Sequence, residues 1–215
     1  MGDFLHYLSY RRDHIFTLAI EHAKIVLVAM AIATVISILI AVLCYRRDRI
    51  AAAVLAVQGV TLTIPSLALF GLLIPIFGLG FRPVLAALVM YALLPITRNT
   101  ITGLRGVDPA IIESAQGMGM GRIRRLLKIE LPLAWPVILT GIRVSTVMIL
   151  GIAAIGAYVN GPGLGEDIFA GLARIGSPTA IDLALGGTLG VVALALVFDA
   201  FYLALGKLTT PRGLR

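Results

Sequence analysis

Apolar residues run in long uncharged blocks along this chain, separated by short clusters of Arg, Lys, Asp and Glu. The first block is Ile25–Tyr45, rich in Ile, Val and Ala, and Arg46, Arg47, Asp48 and Arg49 close it. At about 1.5 Å per residue it covers roughly 30 Å as a helix, one crossing of a bilayer. The second block, Ile50–Phe81, is longer than one crossing and shorter than two with a turn. Pro65 and Pro75, with Gly59, Gly71, Gly78 and Gly80, predict a broken helix there, or a helix followed by a re-entrant piece. Irregular backbone survives at membrane depth only under cover of protein or beside a water-filled cavity. A third block spans Pro83–Thr97 between Arg82 and Arg98, extended at either end. A fourth spans Pro136–Tyr158, with Arg143 in its first turns placed to snorkel to the interface. The fifth, Leu183–Gly206, carries one acid, Asp199. The pattern predicts an all-α polytopic membrane protein with about five transmembrane helices. Residues 1–215 form one membrane domain, with no long repeat and no low-complexity segment.

Composition agrees. Apolar residues make up 59% of the chain and charged residues 13%, against about a quarter charged in soluble domains. Asp3, His6, Arg11, Arg12 and Asp13 interrupt the chain before any apolar run begins, so no cleavable signal peptide is expected. One cysteine, Cys44, excludes a disulfide framework. The net charge of +7 sits beside the apolar spans, which reads as a topology signal and not as a nucleic-acid surface. With the amino terminus outside, 13 of the 18 Lys and Arg fall on inner segments and 5 on outer ones. The positive-inside bias therefore predicts an outer amino terminus, an inner carboxyl terminus and a cytoplasmic loop over about 99–135.

That loop is polar and basic. Asp108-Pro109 is a helix start, since Asp accepts from unpaired N–H groups and Pro suits the first helical position. A helix from Pro109 to about Met118 sets Glu113, Gln116 and Gly117 along one side and Ile112, Ala115 and Gly119 along another. The small residues of the second side suit a partner's groove. Gly119 and Gly121 allow a sharp turn. A second helix, about Arg122–Glu130, carries Arg122, Arg124, Arg125 and Lys128, and Pro132 is expected to end it.

Other candidates carry less. Asp199 at mid-span costs about 2.5–3.5 kcal/mol on insertion scales and is a functional hypothesis by default. No second intramembrane acid accompanies it, so the favoured reading is an inward-facing acid bonded to nearby hydroxyls, to backbone or to a second subunit. His6, His14 and His22 recur every eight residues, too far around a helix to share a face, and are expected to be solvated or interfacial. Asn160, Gly163 and Gly165 mark a turn-rich outer loop, a contact for an outside binding protein or part of a gate. Gly151 and Gly156 in the fourth span, and Gly186, Gly187 and Gly190 in the fifth, suit close helix packing. No phosphate loop, nucleophile elbow, paired catalytic carboxylates or zinc-spaced ligands occur. The chain is thus expected to bind no ATP, cofactor or metal and to catalyse no reaction itself.

Glu113, Ser114 and Ala115, then Gly119 after three residues, then Ile129, Leu131 and Pro132 after nine more, fall into a fixed pattern. It resembles the signature loop of membrane subunits of binding-protein-dependent ABC importers: Glu-Ala-Ala, three residues, Gly, nine residues, Ile-x-Leu-Pro. Ser114 in place of Ala is the one departure. The resemblance implies a type I ABC importer permease fold in a bacterial plasma membrane. It also implies a second permease subunit, identical or paralogous, and ATP-binding subunits that carry ATP and Mg and dock on the loop. An extracellular or periplasmic substrate-binding protein completes the set. Thr63-Ile-Pro-Ser-Leu-Ala-Leu, Leu94-Pro-Ile-Thr-Arg-Asn-Thr, Gly117-Met-Gly-Met and Gly163-Leu-Gly are similar to the osmoprotectant branch, which moves glycine betaine, carnitine or choline. Two alternatives stay open. One is a permease for another small solute, such as an amino acid or thiol betaine. The other is a stand-alone secondary transporter or channel using Asp199, against which the loop and the lack of internal duplication weigh.

Overall fold

The computed structural model describes the backbone of residues 2–210 and the side chains of residues 6–210. Arg212 and Arg215, counted above among the inner charges, lie outside them. A short helix α1 (Gly2–Tyr10) leads into α2 (Arg12–Cys44), which starts well before the uncharged run. Charge ends an apolar run but does not end a helix, and Asp13 in the first turn suits the helix dipole. Next come α3 (Asp48–Thr63) and α4 (Ser66–Phe77), bent by 99° where they meet. Pro65 pushes the preceding residue out of the helical region, and Ile64 is extended at φ −76°, ψ 124°. The break does not leave its backbone stranded, because the Tyr91 hydroxyl donates to the Ile64 carbonyl at 2.6 Å.

Helix α5 (Phe81–Arg105) follows and runs through Pro95. The loop helices α6 (Pro109–Gly117) and α7 (Arg122–Arg125) lead into a π turn over Leu126–Glu130 and then into α8 (Leu131–Ile155). A 3₁₀ turn, Gly156–Val159, then α9 (Gly165–Ala173) and α10 (Ala180–Thr209) complete the described residues. Four helical stretches are long and apolar enough to cross a membrane, or five if the bent pair counts as one.

Contacts at the two ends show that the bent pair runs from one end of the bundle to the other. At one end Arg105 Nε donates to the Tyr45 carbonyl at 2.7 Å, and Arg46 pairs with Glu130 at 3.1 Å. Trp135 Nε1 donates to Thr209 Oγ1 at 2.7 Å at that same end. The tails of α2, α5 and α10 and the head of α8 therefore lie together there, on the loop side. At the far end Gly80 N–H donates to the Val159 carbonyl at 2.8 Å, and His14 bonds Asp167 at 3.1 Å. Because α3 begins on the loop side and α5 begins at the far end, α3 and α4 together span the bundle. Among the described residues, five helical passes therefore run between the two ends of the bundle, with α2 starting at the far end and α10 finishing on the loop side.

Helix α5 lies between α2 and α8, and its seam holds Ala87, Leu88, Ala92 and Ile96 against Ile25, Val26, Ala29, Ile149 and Leu150, all fully buried or nearly so. Lipid tails offer no hydrophobic drive between helices, so close packing of small residues carries the fit. A Cβ on Gly156 would meet Val84 Cγ1 at 2.8 Å; on Gly187, Ile168 Cγ1 and the Leu164 carbonyl at 2.8 Å; on Gly190, Leu164 Cδ2 at 2.8 Å. Gly186 lies under Tyr7, whereas Gly151 has no neighbour within 4 Å in this chain. The tightest position is Gly165, where an added Cβ would run into the Ala154 carbonyl. Gly165→Ala is expected to destabilise the folded chain by about 1–3 kcal/mol or more, as overpacking does. Gly151→Ala should be neutral or slightly stabilising. Thermal unfolding of the two variants in detergent checks this, and equal melting temperatures would refute it.

Candidate functional site

The loop between α5 and α8 takes its shape from its turn chemistry. Asp108 caps α6, its Oδ1 accepting from Ala110 N at 2.8 Å, with Pro109 in the first turn. The helix ends where the Met118 and Gly119 N–H groups fold back on the Ser114 and Gln116 carbonyls at 3.0 and 2.9 Å. Gly119 has φ +78°, a region that L side chains rarely adopt, and nothing lies within 4 Å of where its Cβ would be. Gly121 has an ordinary φ of −63° and supplies no such turn.

Glu113, Ser114 and Gly119 are exposed on this lever, beside Ile111, Met118 and Ile123, the last two more than two-thirds exposed. Ala115, expected on the partner-facing side, is instead 1% exposed. It is the one buried residue of α6, and it seats the lever on its own chain. The exposed surface of this loop is thus Glu113, Ser114, the glycine turn and the apolar side chains beside them.

The expectation for Pro132 also fails. The helix does not stop there but runs on from Arg122 to Val159. The wide π turn just before it absorbs the ring and the missing N–H, with Leu131 N–H reaching back five residues to the Leu126 carbonyl. Ile129 and Leu131 are half-buried where this helix leaves the loop, and Pro132 is exposed.

Glu130 carries the densest polar network at the site, and sequence reasoning passed it over as the tail of a basic helix. Its carboxylate is fully buried. Arg125 Nε donates to Oε1 at 2.8 Å, Tyr45 Oη to Oε2 at 2.6 Å, and Arg46 Nη2 to Oε1 at 3.1 Å. Arg46 Nε also donates to Tyr45 Oη at 2.6 Å. Burial, then the bond to Glu130, holds the Tyr45 phenol above its ordinary range, so it remains a donor. The available signal was a lone acid inside a basic run at the edge of a span, where a buried carboxylate must find cations.

Asp199 is not bonded to hydroxyls or backbone. Its two oxygens take Arg143 Nε and Nη2 at 2.5 and 2.9 Å, a two-pronged pair between α10 and α8. Arg143 is thus engaged across the contact between α8 and α10. Both side chains keep about a third of their surface open, 39% and 33%.

At the far end, Asn160 is exposed in the left-handed region at φ 60°. Gly163 and Gly165 are buried and offer a partner no surface. Gly163, at φ +114°, lies so close to His22 that a Cβ would come within 2.7 Å of its Cβ. His22 is itself fully buried and its Nε2 meets the Leu150 carbonyl at 3.1 Å. The expectation of a solvated or interfacial histidine thus fails for His22, because α2 begins far enough ahead of the apolar run to carry it into the fold. His14 joins Arg11 on the buried carboxylate of Asp167, at 3.1 and 3.4 Å. His6 is exposed.

Similarity to known proteins agrees with this architecture. The chain is 37% identical to the osmoprotectant import permease protein OsmW of Salmonella typhimurium, over 99% of this chain and 100% of that protein. It is 37% identical to the choline transport system permease protein OpuBB of Bacillus subtilis, over 91% and 88%. Identity to the carnitine transport permease protein OpuCB of Listeria monocytogenes is 40%, over 91% and 88%. Its fold matches a chain of the inward-facing MetNI methionine ABC transporter with a TM-score of 0.80 at 19% identity, covering 92% of this chain and 96% of that one. An amino acid ABC transporter crystallised with histidines matches at a TM-score of 0.68 and 19% identity, covering 95% and 96%. The fold is that of type I ABC importer permeases. The chain belongs to the family of binding-protein-dependent transport system inner membrane components, which matches residues 22–210.

Proposed function

We propose that this chain is the membrane-spanning subunit of an ATP-driven importer of quaternary-amine osmoprotectants. It forms part of the solute path and takes its drive from separate ATPase subunits that bind ATP and Mg. The observation that carries this is the exposed lever α6–α7, which presents Glu113, Ser114 and Gly119 beyond the ends of the spans. The relatives named for osmoprotectant, choline and carnitine transport supply the solute class. Two permease copies, identical or paralogous, enclose the path, and a binding protein delivers solute from outside. A stand-alone carrier using Asp199 as its ion site loses ground, since Arg143 already occupies both carboxylate oxygens. The test is reconstitution in liposomes with the ATPase and binding protein encoded beside it. Uptake of radiolabelled choline, carnitine or glycine betaine should require both partners and Mg-ATP. Uptake that persists without ATPase would overturn the proposal.

The charge asymmetry supports one orientation: the loop and the carboxyl terminus in the cytoplasm, the amino terminus outside. Terminal tags probed with an impermeant protease on intact cells should show the amino-terminal tag cleaved and the carboxyl-terminal tag protected. The reverse pattern would invert the topology and strip the lever of its cytoplasmic partner.

A further inference from the structure

The lever must pass its motion to the spans, and α6 itself has little to pass it through, since Ala115 is its one buried residue. We propose that the buried Glu130 carboxylate is the joint that fastens the lever to the elbow between α2 and α3. This rests on the importer reading above. Arg125 approaches Glu130 from the loop, while Tyr45 and Arg46 approach it from the elbow. The elbow is held in turn to the tail of α5, where Arg105 grips the Tyr45 carbonyl at 2.7 Å and Asp48 at 2.8 Å. One carboxylate thus sits where three spans and the loop converge.

Two features suit it to a moving part. Glu130 closes the π turn, a departure from the regular α-helix just before α8, and such turns recur at functional positions. Its partners are also unequal: Arg125 is buried at 4% side-chain exposure, whereas Arg46 is 38% exposed. The Arg125 arm is fixed to the lever. The Arg46 arm is reached by water, so the buried Tyr45 hydroxyl supplies the firmer hold on the elbow. Displacement of the lever therefore pulls first on α2 and on the head of α3, whose broken partner α4 lies beyond it in the span.

Glu130→Gln, Glu130→Asp and Tyr45→Phe, each in the full complex with ATPase and binding protein, test the joint. None of these residues lies on the exposed docking face, so ATPase binding should match the parent. Solute moved per ATP hydrolysed should fall at least tenfold in Glu130→Gln and severalfold in Tyr45→Phe, with partial recovery in Glu130→Asp. Spin labels at the exposed positions Arg47 and Arg124 should keep one narrow distance through the ATP cycle in the parent and a broadened one in the variants. If Glu130→Gln does not reach the membrane, Tyr45→Phe decides alone. Parental solute-to-ATP ratios and parental distances in Tyr45→Phe overturn the joint while leaving the importer reading intact. A parent complex without ATP-driven uptake overturns the importer reading first, and the label distances then report whether lever and elbow move as one body.

Discussion

Gly119→Glu is expected to abolish solute uptake while leaving the chain in the membrane at the parental level. Two effects act together. At φ +78° most residues with a Cβ, Glu among them, pay about 1–2 kcal/mol of backbone strain. The position is open, with nothing within 4 Å, so the chain itself can accommodate a longer side chain. A docked ATPase cannot, because the new carboxylate would stand in the contact face between Glu113 and the exposed Met118 and Ile123. Loss of a central interface contact costs about 2 kcal/mol or more, roughly 30-fold in affinity. Glu113→Lys should act in the same direction more mildly, by reversing an exposed charge on α6. Strain and contact can be separated. Asn tolerates the left-handed region and Ala does not, so if strain dominates, Gly119→Asn should outperform Gly119→Ala; if contact dominates, the order reverses. Parallel assays of ATPase binding, hydrolysis and uptake in reconstituted complexes check the prediction. Parental binding and transport in both Gly119→Glu and Glu113→Lys would remove the lever from the coupling route.

The crossings were legible because lipid imposes a length and a composition on each span. The break at Pro65 was legible because proline restricts the residue before it, as Ile64 shows. Helix α6 was legible because its start is written in Asp108-Pro109 and its end in a glycine at positive φ. Where one apolar run ends and one helix ends are different questions, and there the reading slipped. Glu21, His22 and Lys24 stop the run but not α2. Pro132 interrupts an ordinary helix, but a π turn carries this one past it. Pairings across the fold were the least legible. Arg46 and Glu130 lie 84 residues apart, and Arg143 and Asp199 lie 56 apart. Nothing local marks such partners except the cost of leaving each charge alone near the membrane, and that cost names the need for a partner without naming the partner.

For Asp199 that cost now has an address, and it changes what Asp199→Asn should do. Had the acid merely bonded to hydroxyls, an amide would have served nearly as well. With Arg143 gripping both oxygens, Asn leaves a guanidinium at mid-span without its counter-charge. Breaking a buried pair by removing one partner costs about 3–5 kcal/mol. Both side chains keep about a third of their surface open, so the lower end of that range applies here. The expected result is a clear fall in melting temperature and membrane abundance, with uptake falling in proportion to the protein that remains. The double variant Arg143→Met, Asp199→Leu removes both charges and should recover abundance, since apolar replacements of an ion pair are often neutral or stabilising. Uptake then reports the role of the pair. Recovery of uptake with abundance marks a structural tie between α8 and α10. Recovered abundance without uptake means the charges act on the solute path. Asp199→Asn with parental stability and parental uptake would show that the pair contributes nothing to either.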